Sequence, residues 1–350
     1  MSPGVVLPRL QRARRSFLLA SVWGLAGAAR AATQPAQHRV SIALAARQSL
    51  YHLPLTLADQ LGFFRQAGVT VDWLPHEAGA KAVASAMQGQ ADVVAGAFEH
   101  LFGLHQKGLN YQGFVQMGRT PQVAFGVSTR RGSTMRSVME LKGARIGVSA
   151  LDSGTHWMSC QWLLQHGLLP EDVVFVEVGS SAGVMEALRS GTIDALCNPD
   201  PVMHWLEQKN DIRILGEARS MAAARKVMVG DVPGACLLAR AEFLQRQPAV
   251  AQALSDGITH ALKWLQTAGV TDILKTVPPS HWMGDRAIYL GAFEKLRESY
   301  ATDGLILAES VANSSRAHVR LANQQPMARL VLERLYTNSF AGKSKTRFAA

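Results

Sequence analysis

The sequence predicts an α/β protein of two similar lobes, each a mostly parallel sheet flanked by helices. Three observations carry that prediction. Apolar strand patterns alternate with helical ones across short turns, the signature of parallel βαβ units. The alternation occurs twice in the same order. The chain of 350 residues, 48% of them hydrophobic, is long enough to bury two cores.

The N-terminus precedes both copies and reads as an export signal. "RARRSFLLASVWGLAGAARAA" has a basic start, a short apolar run from Phe17 to Ala29, and Ala29-Arg30-Ala31 as a small-residue cleavage site, which assigns residues 1–31 to a cleaved segment. The Arg14-Arg15 pair before Ser16-Phe17-Leu18 resembles a twin-arginine signal. The run falls short of the roughly 20 apolar residues that a membrane span needs. No cysteine stands at the junction to carry a lipid. The expected location is therefore the periplasm, with the mature chain starting at Ala32.

This segment also explains the charge. Of a formal net charge of +10, Arg9, Arg12, Arg14, Arg15 and Arg30 lie in the first 31 residues, where there is no acid. Lys343, Lys345 and Arg347 lie in the last stretch, which reads as a flexible basic tail over residues 337–350. The body between is weakly charged, and nucleic acid is excluded as a partner. Cys160, Cys197 and Cys236 each sit in an apolar stretch. An odd count argues against a disulfide framework and for buried thiols, with a Cys197–Cys236 bridge left open.

The first copy runs "VSIALAA" from Val40, "PLTLADQLGFFRQAG", "VTVDWL", a Gly-Ala turn, "KAVASAMQG" and "ADVVAG". The second runs "ARIGVSA", "THWMSCQWLLQHG", "VVFVEV", "SSAG", "VMEALRSG" and "IDALCN". Gly68 and Gly167 end corresponding helices, as do Gly89 and Gly191, where a residue free to enter the left-handed region is expected. Asp92 and Asp194 follow the second pair at the same interval. After these copies, "KVMVGDVPGACLLA" reads as a strand crossing back. "PAVAQALSDGITHALKWLQTA" reads as an amphipathic helix, with Val250, Leu254, Ile258, Leu262 and Leu265 on one face packed against the first lobe. Parallel units place strand C-termini and helix N-termini at one edge, where ligands bind, so two facing lobes define a clamp.

The segment order from about Val40 to Ala322 resembles the solute-binding proteins of ATP-driven uptake systems for nitrate, taurine, alkanesulfonates and thiamine-type pyrimidines. The matching residues are Leu61-Gly62-Phe63-Phe64 with Gly68-Val69, Gly89-Gln90-Ala91-Asp92, Glu140-Leu141-Lys142-Gly143 before Arg145-Ile146-Gly147-Val148, and Gly191-Thr192-Ile193-Asp194-Ala195. The resemblance implies a two-lobed periplasmic-binding-protein fold of type II with its ligand cleft between the lobes. Residues 38–122 plus 230–325 would form lobe 1 and residues 123–229 lobe 2. Chain crossings would fall near Pro121–Phe125 and Val227–Pro233, with Gly230 and Gly234 easing a hinge. It further implies a monomer without cofactor that captures a small anionic or zwitterionic solute, a sulfonate, nitrate, carboxylate or pyrimidine, and hands it to an ABC permease in the cytoplasmic membrane. The cysteine-rich motif of the family's pyrimidine synthases is missing, which counts against catalysis of that kind.

By position, the resemblance assigns ligand contacts to Gln48, Tyr51 and His52; Glu77, Gly79 and Ala80; Phe98, Glu99 and His100; Ser153, Gly154, Thr155, His156 and Trp157; and Asn198 and Asp200. Ser153-Gly154-Thr155 and Gly79-Ala80 stand at helix starts whose free N–H groups favour an anion. Capping of their own helices by Ser153 or Thr155 is the alternative. Three carboxylates, Glu77, Glu99 and Asp200, suit a ligand that also carries an amine or ring N–H. Tyr51, Phe98 and Trp157 are candidates to stack a flat ring. No histidine pair has metal-ligand spacing, so no metal site is expected.

Two rival functions remain open. Gly179-Ser180-Ser181-Ala182-Gly183 matches the G-x-S-x-G nucleophile elbow, with Asp200 and His260 or His281 downstream in the order a serine esterase requires. A ligand sensor acting through a membrane partner is the other.

Overall fold

The computed structural model describes residues 37–130, 135–181, 183–228, 230–321 and 330–350. The export signal lies outside these residues. Strands β1 (His38–Ala45), β2 (Val69–His76), β3 (Val93–Ala97) and β4 (Tyr111–Gln116) come from the first copy and its extension. β5 (Val123–Ser128), β6 (Arg145–Val148), β7 (Val174–Glu177), β8 (Ala195–Pro199) and β9 (Ile212–Glu217) come from the second, and β10 (Ala235–Arg240) follows. They form two five-stranded sheets, ordered β2-β1-β3-β10-β4 and β7-β6-β8-β5-β9.

Each sheet is parallel apart from one strand. β1 pairs in parallel with β2 and β3, and β6 with β7 and β8. β10 runs antiparallel between β3 and β4, and β5 antiparallel between β8 and β9. These two are the strands that the chain enters directly after crossing from one sheet to the other. The parallel strands are near-continuous apolar runs because both faces are covered. In β1, Val40, Ile42 and Leu44 enter one core and Ala43 the other; in β10, Leu237 and Leu238 divide in the same way.

The sequence echo has a local physical basis. Gly68, Gly89, Gly167 and Gly191 all adopt positive φ, between 76° and 89°, at the ends of their helices. Asp92 Oδ2 accepts from the Ser41 amide at 2.8 Å, and Asp194 Oδ2 accepts from the Arg145 amide at 3.0 Å. In each lobe the same aspartate, at the foot of the third strand, ties down the first strand.

The crossings pack backbone on backbone. Gly234 N donates to Gly118 O at 2.9 Å, and Met117 N to Ala235 O at 2.7 Å. A Cβ at Gly234 would lie 1.9 Å from the Thr120 carbonyl oxygen, and one at Gly230 2.6 Å from Asn313 Nδ2. The glycine at 234 is thus required for close approach.

The C-terminal segments differ from expectation. Helix Ala308–Leu321 spans both cores, since Val311 joins a lobe 1 cluster and Ala317 the main lobe 2 cluster, where Gln161 Nε2 donates to the Ala317 carbonyl at 2.9 Å. The stretch expected as a flexible tail is helix Ser339–Phe348, packed on helix Pro248–Thr267. Two of its basic residues are partnered: Arg347, with Ser344, reaches the Asp256 carboxylate, and Lys345 reaches Asp303 at 2.9 Å. Phe340, Ala341 and Ser344 supply the buried face. The three cysteines are buried and free, with Cys197 in one sheet and Cys236 in the other, so no bridge joins them.

Gly234→Ala is expected to destabilise the protein by about 1–3 kcal/mol or more, because the obstacle is backbone that cannot rotate away. Gly103→Ala, in a helix with open space around the new Cβ, is expected to be neutral or to stabilise by up to about 1 kcal/mol. Chemical denaturation of the two variants checks the contrast.

Candidate functional site

The C-terminal ends of β1, β3, β6 and β8 point their loops at a cleft between the sheets. Its space is about 600 Å³ with the open mouth included, over a floor of small residues that includes Ala45, Ala95, Gly96 and Ala97. Eight of the expected residues line it: Tyr51, His52, Gly79, Glu99, His100, Ser153, Gly154 and Thr155. Ser49 and Pro199, which stand in the expected loops, line it as well, and Pro121, Val123, Ser149, Met158 and Ser180 do so without having been expected as ligand contacts. Ser149 and Ser180 immediately follow β6 and stand near the end of β7, so strand-end position was the signal for both.

The other expected residues lie elsewhere. Phe98 is fully buried in a lobe 1 core, edge-to-face with Phe102, and Glu77 is a surface residue bridged to Lys81 at 2.7 Å. His156 and Trp157 line a separate groove, where Ala80 also sits, and the His156 Nδ1 accepts from the Asp152 amide. Gln48 and Asp200 line an adjoining cavity, and the Asn198 amide is turned to the Gly179 carbonyl. Of the aromatic trio, Tyr51 alone faces the cleft.

Asp200 is a structural acid. Its side chain is wholly buried against Arg219, with Nε 2.9 Å from Oδ2 and Nη2 donating to Oδ1 at 3.2 Å. The Nε–H is angled away from the oxygen, so that closest contact is an ion pair without hydrogen-bond alignment. Arg219 also meets Glu207 and Glu217 at 3.1 Å each. The Asp200 carbonyl reaches across to lobe 1, accepting from Leu50 N at 3.0 Å and Ser49 Oγ at 2.9 Å.

The hydroxyls of one expected anion jaw and an amide of the other are engaged by the protein itself. Ser153 Oγ accepts from the Ala80 amide at 3.0 Å, so the hydroxyl at one helix start caps the other helix across the cleft. Thr155 Oγ1 is held by the Ser149 amide and hydroxyl at 2.8 Å. Above the start of helix Gly154–Gln165 lies the Glu99 carboxyl, whose Oε1 would be 2.6 Å from a Cβ at position 154. Glycine at 154 is what lets a lobe 1 acid approach a lobe 2 helix terminus this closely. Burial pushes the Glu99 carboxyl up to about 7 and the His52 and His100 imidazoles down to about 4. At neutral pH these two histidines are uncharged.

Ser181 and Asp200 border one cavity with Ser280 and Met283, on either side of His281, but among the described residues no hydrogen-bonded triad forms there. Ser181 is exposed, Asp200 is committed to Arg219, and His260 is stacked between Phe63 and Phe348. Among the described residues no hydrogen bond joins Ser181 to a histidine, and Ala182 lies outside them. No group of three or more His, Cys, Asp or Glu residues among the described ones has metal-site geometry.

Two mixed α/β sheets joined by paired crossings over a polar-rimmed cleft define the periplasmic-binding-protein fold. The chain belongs to the NMT1/THI5-like family, whose model matches residues 49–268. A protein from Bordetella bronchiseptica RB50 superposes with a TM-score of 0.87 at 36% identity, over 90% of this chain and 99% of that one. The alkanesulfonate-binding protein SsuA from Xanthomonas axonopodis pv. citri, bound to MOPS, gives 0.66 at 16% identity over 87% and 99%. The periplasmic nitrate-binding protein NrtA from Synechocystis PCC 6803 gives 0.70 at 10% over 89% of each chain. At these last identities the likeness is one of fold. Comparison with curated proteins returns no match.

Two substitutions test the site's electrostatics. Arg219→Ala strands a buried carboxylate and is expected to cost about 3–5 kcal/mol in denaturant unfolding. The Glu99 pKa in the folded chain lies above its ordinary 4.5, so its contribution to stability is complete below pH 4.5 and is lost as pH rises through 7. His52 and His100 act in the opposite sense, contributing above pH 6.5 and losing that contribution as pH falls toward 4. The difference between wild type and Glu99→Gln isolates the acid. It is expected to decline by up to about 3 kcal/mol from pH 4.5 to pH 8 in parallel melts.

Proposed function

We propose that the protein is the extracytoplasmic binding component of an ABC-type importer. It captures a small organic solute between its lobes and presents it to a membrane permease. The observation that carries this reading is the cleft: strand-end loops of both sheets converge on one space, and hydrogen bonds such as Ser153 to Ala80 cross it. A ligand held by both lobes favours the closed arrangement because only that arrangement offers both sets of contacts. The family membership and the names of the fold relatives support the same role, with sulfonates, nitrate, carboxylates and pyrimidines as the classes to try. The signal-like N-terminus supports export to the periplasm, and no helix among the described residues is long and apolar enough to cross a membrane. Asp200 is committed to Arg219, and among the described residues no hydrogen bond joins Ser181 to His260 or His281, which leaves the esterase alternative without support.

A thermal-shift panel of these compounds on the purified protein, followed by small-angle scattering with any hit, tests the proposal. A ligand at 100 times its Kd is expected to add about 2.7 kcal/mol of stability and to reduce the radius of gyration. A panel flat for every class, with amines and amidines included, or a tight ligand without compaction, would overturn it.

A further inference from the structure

We infer that the cleft is built for an organic cation, a ligand whose amine- or amidine-type N–H donors meet the Glu99 carboxylate, and that it discriminates against sulfonates and nitrate. The inference rests on the solute-capture reading and narrows its ligand class.

The first argument is the charge of the lining. No lysine or arginine is among the residues that line the cleft, and Glu99 is the lining residue that carries charge near neutrality. Arg47 is committed to Asp59 at 2.5 Å and over the Trp73 ring, Lys81 to Glu77 and Arg219 to Asp200, while Lys107 lines the groove that Glu99 and His100 also border. His52 and His100 are neutral and offer an anion no charge. Second, the Glu99 carboxyl packs against Gly154 at the helix start that would welcome an anion, and the facing helix start is capped by Ser153. A sulfonate at that helix start would sit beside a like charge.

A third observation points to a ligand rather than to a merely structural acid. His52 is 3% exposed, lines the cleft, and leaves Nδ1 without a partner while its ring meets the Ala45 carbonyl. The Tyr51 hydroxyl is likewise buried and unpartnered, and it feels the charge of Glu99. A buried polar atom without a partner is costly, and here two of them share a cavity with the acid. Together they offer acceptors to a donor-rich nitrogen group, over a floor of alanine and glycine that admits a flat or slender ligand.

The titratable groups facing Glu99 are Tyr51 from the β1 loop, His100 beside it in sequence, and Cys236 from β10; His52 shares the cavity, and Asp152 faces His100. None of them is cationic at neutral pH. A bound cation favours ionised Glu99 and expels its proton, so affinity must rise with pH through 7. An anion held by the protonated carboxyl would show the opposite sign. That opposition makes the test decisive.

Calorimetric titration of the full chain with benzylamine and benzamidine, against benzenesulfonate and nitrate, should be run at pH 6 and pH 8 in two buffers of different ionisation enthalpy. The expected result is cation binding about tenfold tighter at pH 8 with proton release. Glu99→Gln should bind the cations at least about 30-fold more weakly and lose the pH dependence, and Tyr51→Phe should weaken them while leaving that dependence in place. Binding of benzenesulfonate or nitrate that tightens at pH 6, or cation affinity unchanged in Glu99→Gln, would overturn the inference and leave solute capture standing. Silence of the wild type toward all of these compounds, together with a flat solute panel, would overturn both.

Discussion

The whole architecture depends on two short peptide segments lying against each other. Residues 117–122 carry the chain from the first sheet to the second, and residues 230–234 bring it back. They touch through backbone, with Gly234 against the Thr120 carbonyl at a distance no side chain tolerates. From this contact each sheet receives its antiparallel strand, β5 on one side and β10 on the other. Those strands sit next to β8 and β3, whose ends form the cleft. The place where the lobes are joined and the place where they bind are therefore set by one arrangement of backbone, and the helix Ala308–Leu321 braces it from outside through both cores.

Much of the fold was legible because its signals are local. Strand patterns, glycines at positive φ and the aspartates at 92 and 194 each depend on neighbours within one βαβ unit, and a duplicated pattern confirms itself. The reversed direction of β5 and β10 was not legible, since strand polarity in a sheet depends on what lies between distant segments. The C-terminal helix was misread for a related reason. Lys345 and Arg347 look like a solvated tail until Asp303 and Asp256, far back in the chain, come to meet them.

The site shows the same division more sharply. That strand-end loops would line a cleft followed from topology. Which side chains enter it did not, because Phe98 and Glu99 are neighbours of opposite fate, one in the core and one over the cleft. The acid at 200 is neutralised by Arg219, which no spacing rule links to it. Most consequentially, a helix start that looks like an anion site from its own residues has a carboxyl from the other lobe packed against its first residue. A local motif predicts a vacancy; only the tertiary structure says who occupies it.

The three thiols carry a consequence for how such a chain matures. In the folded protein, burial pushes Cys160 and Cys197 up to about 12, and Cys236 is raised as well. At neutral pH about one thiol in 10⁵ with such a pKa is ionised, so oxidants and disulfide exchange find almost no nucleophile. Before folding, the same cysteines are ordinary thiols near pKa 8.5, exposed and odd in number. In an oxidising compartment the hazard is therefore confined to the interval before the sheets close, and folding itself is the protective step.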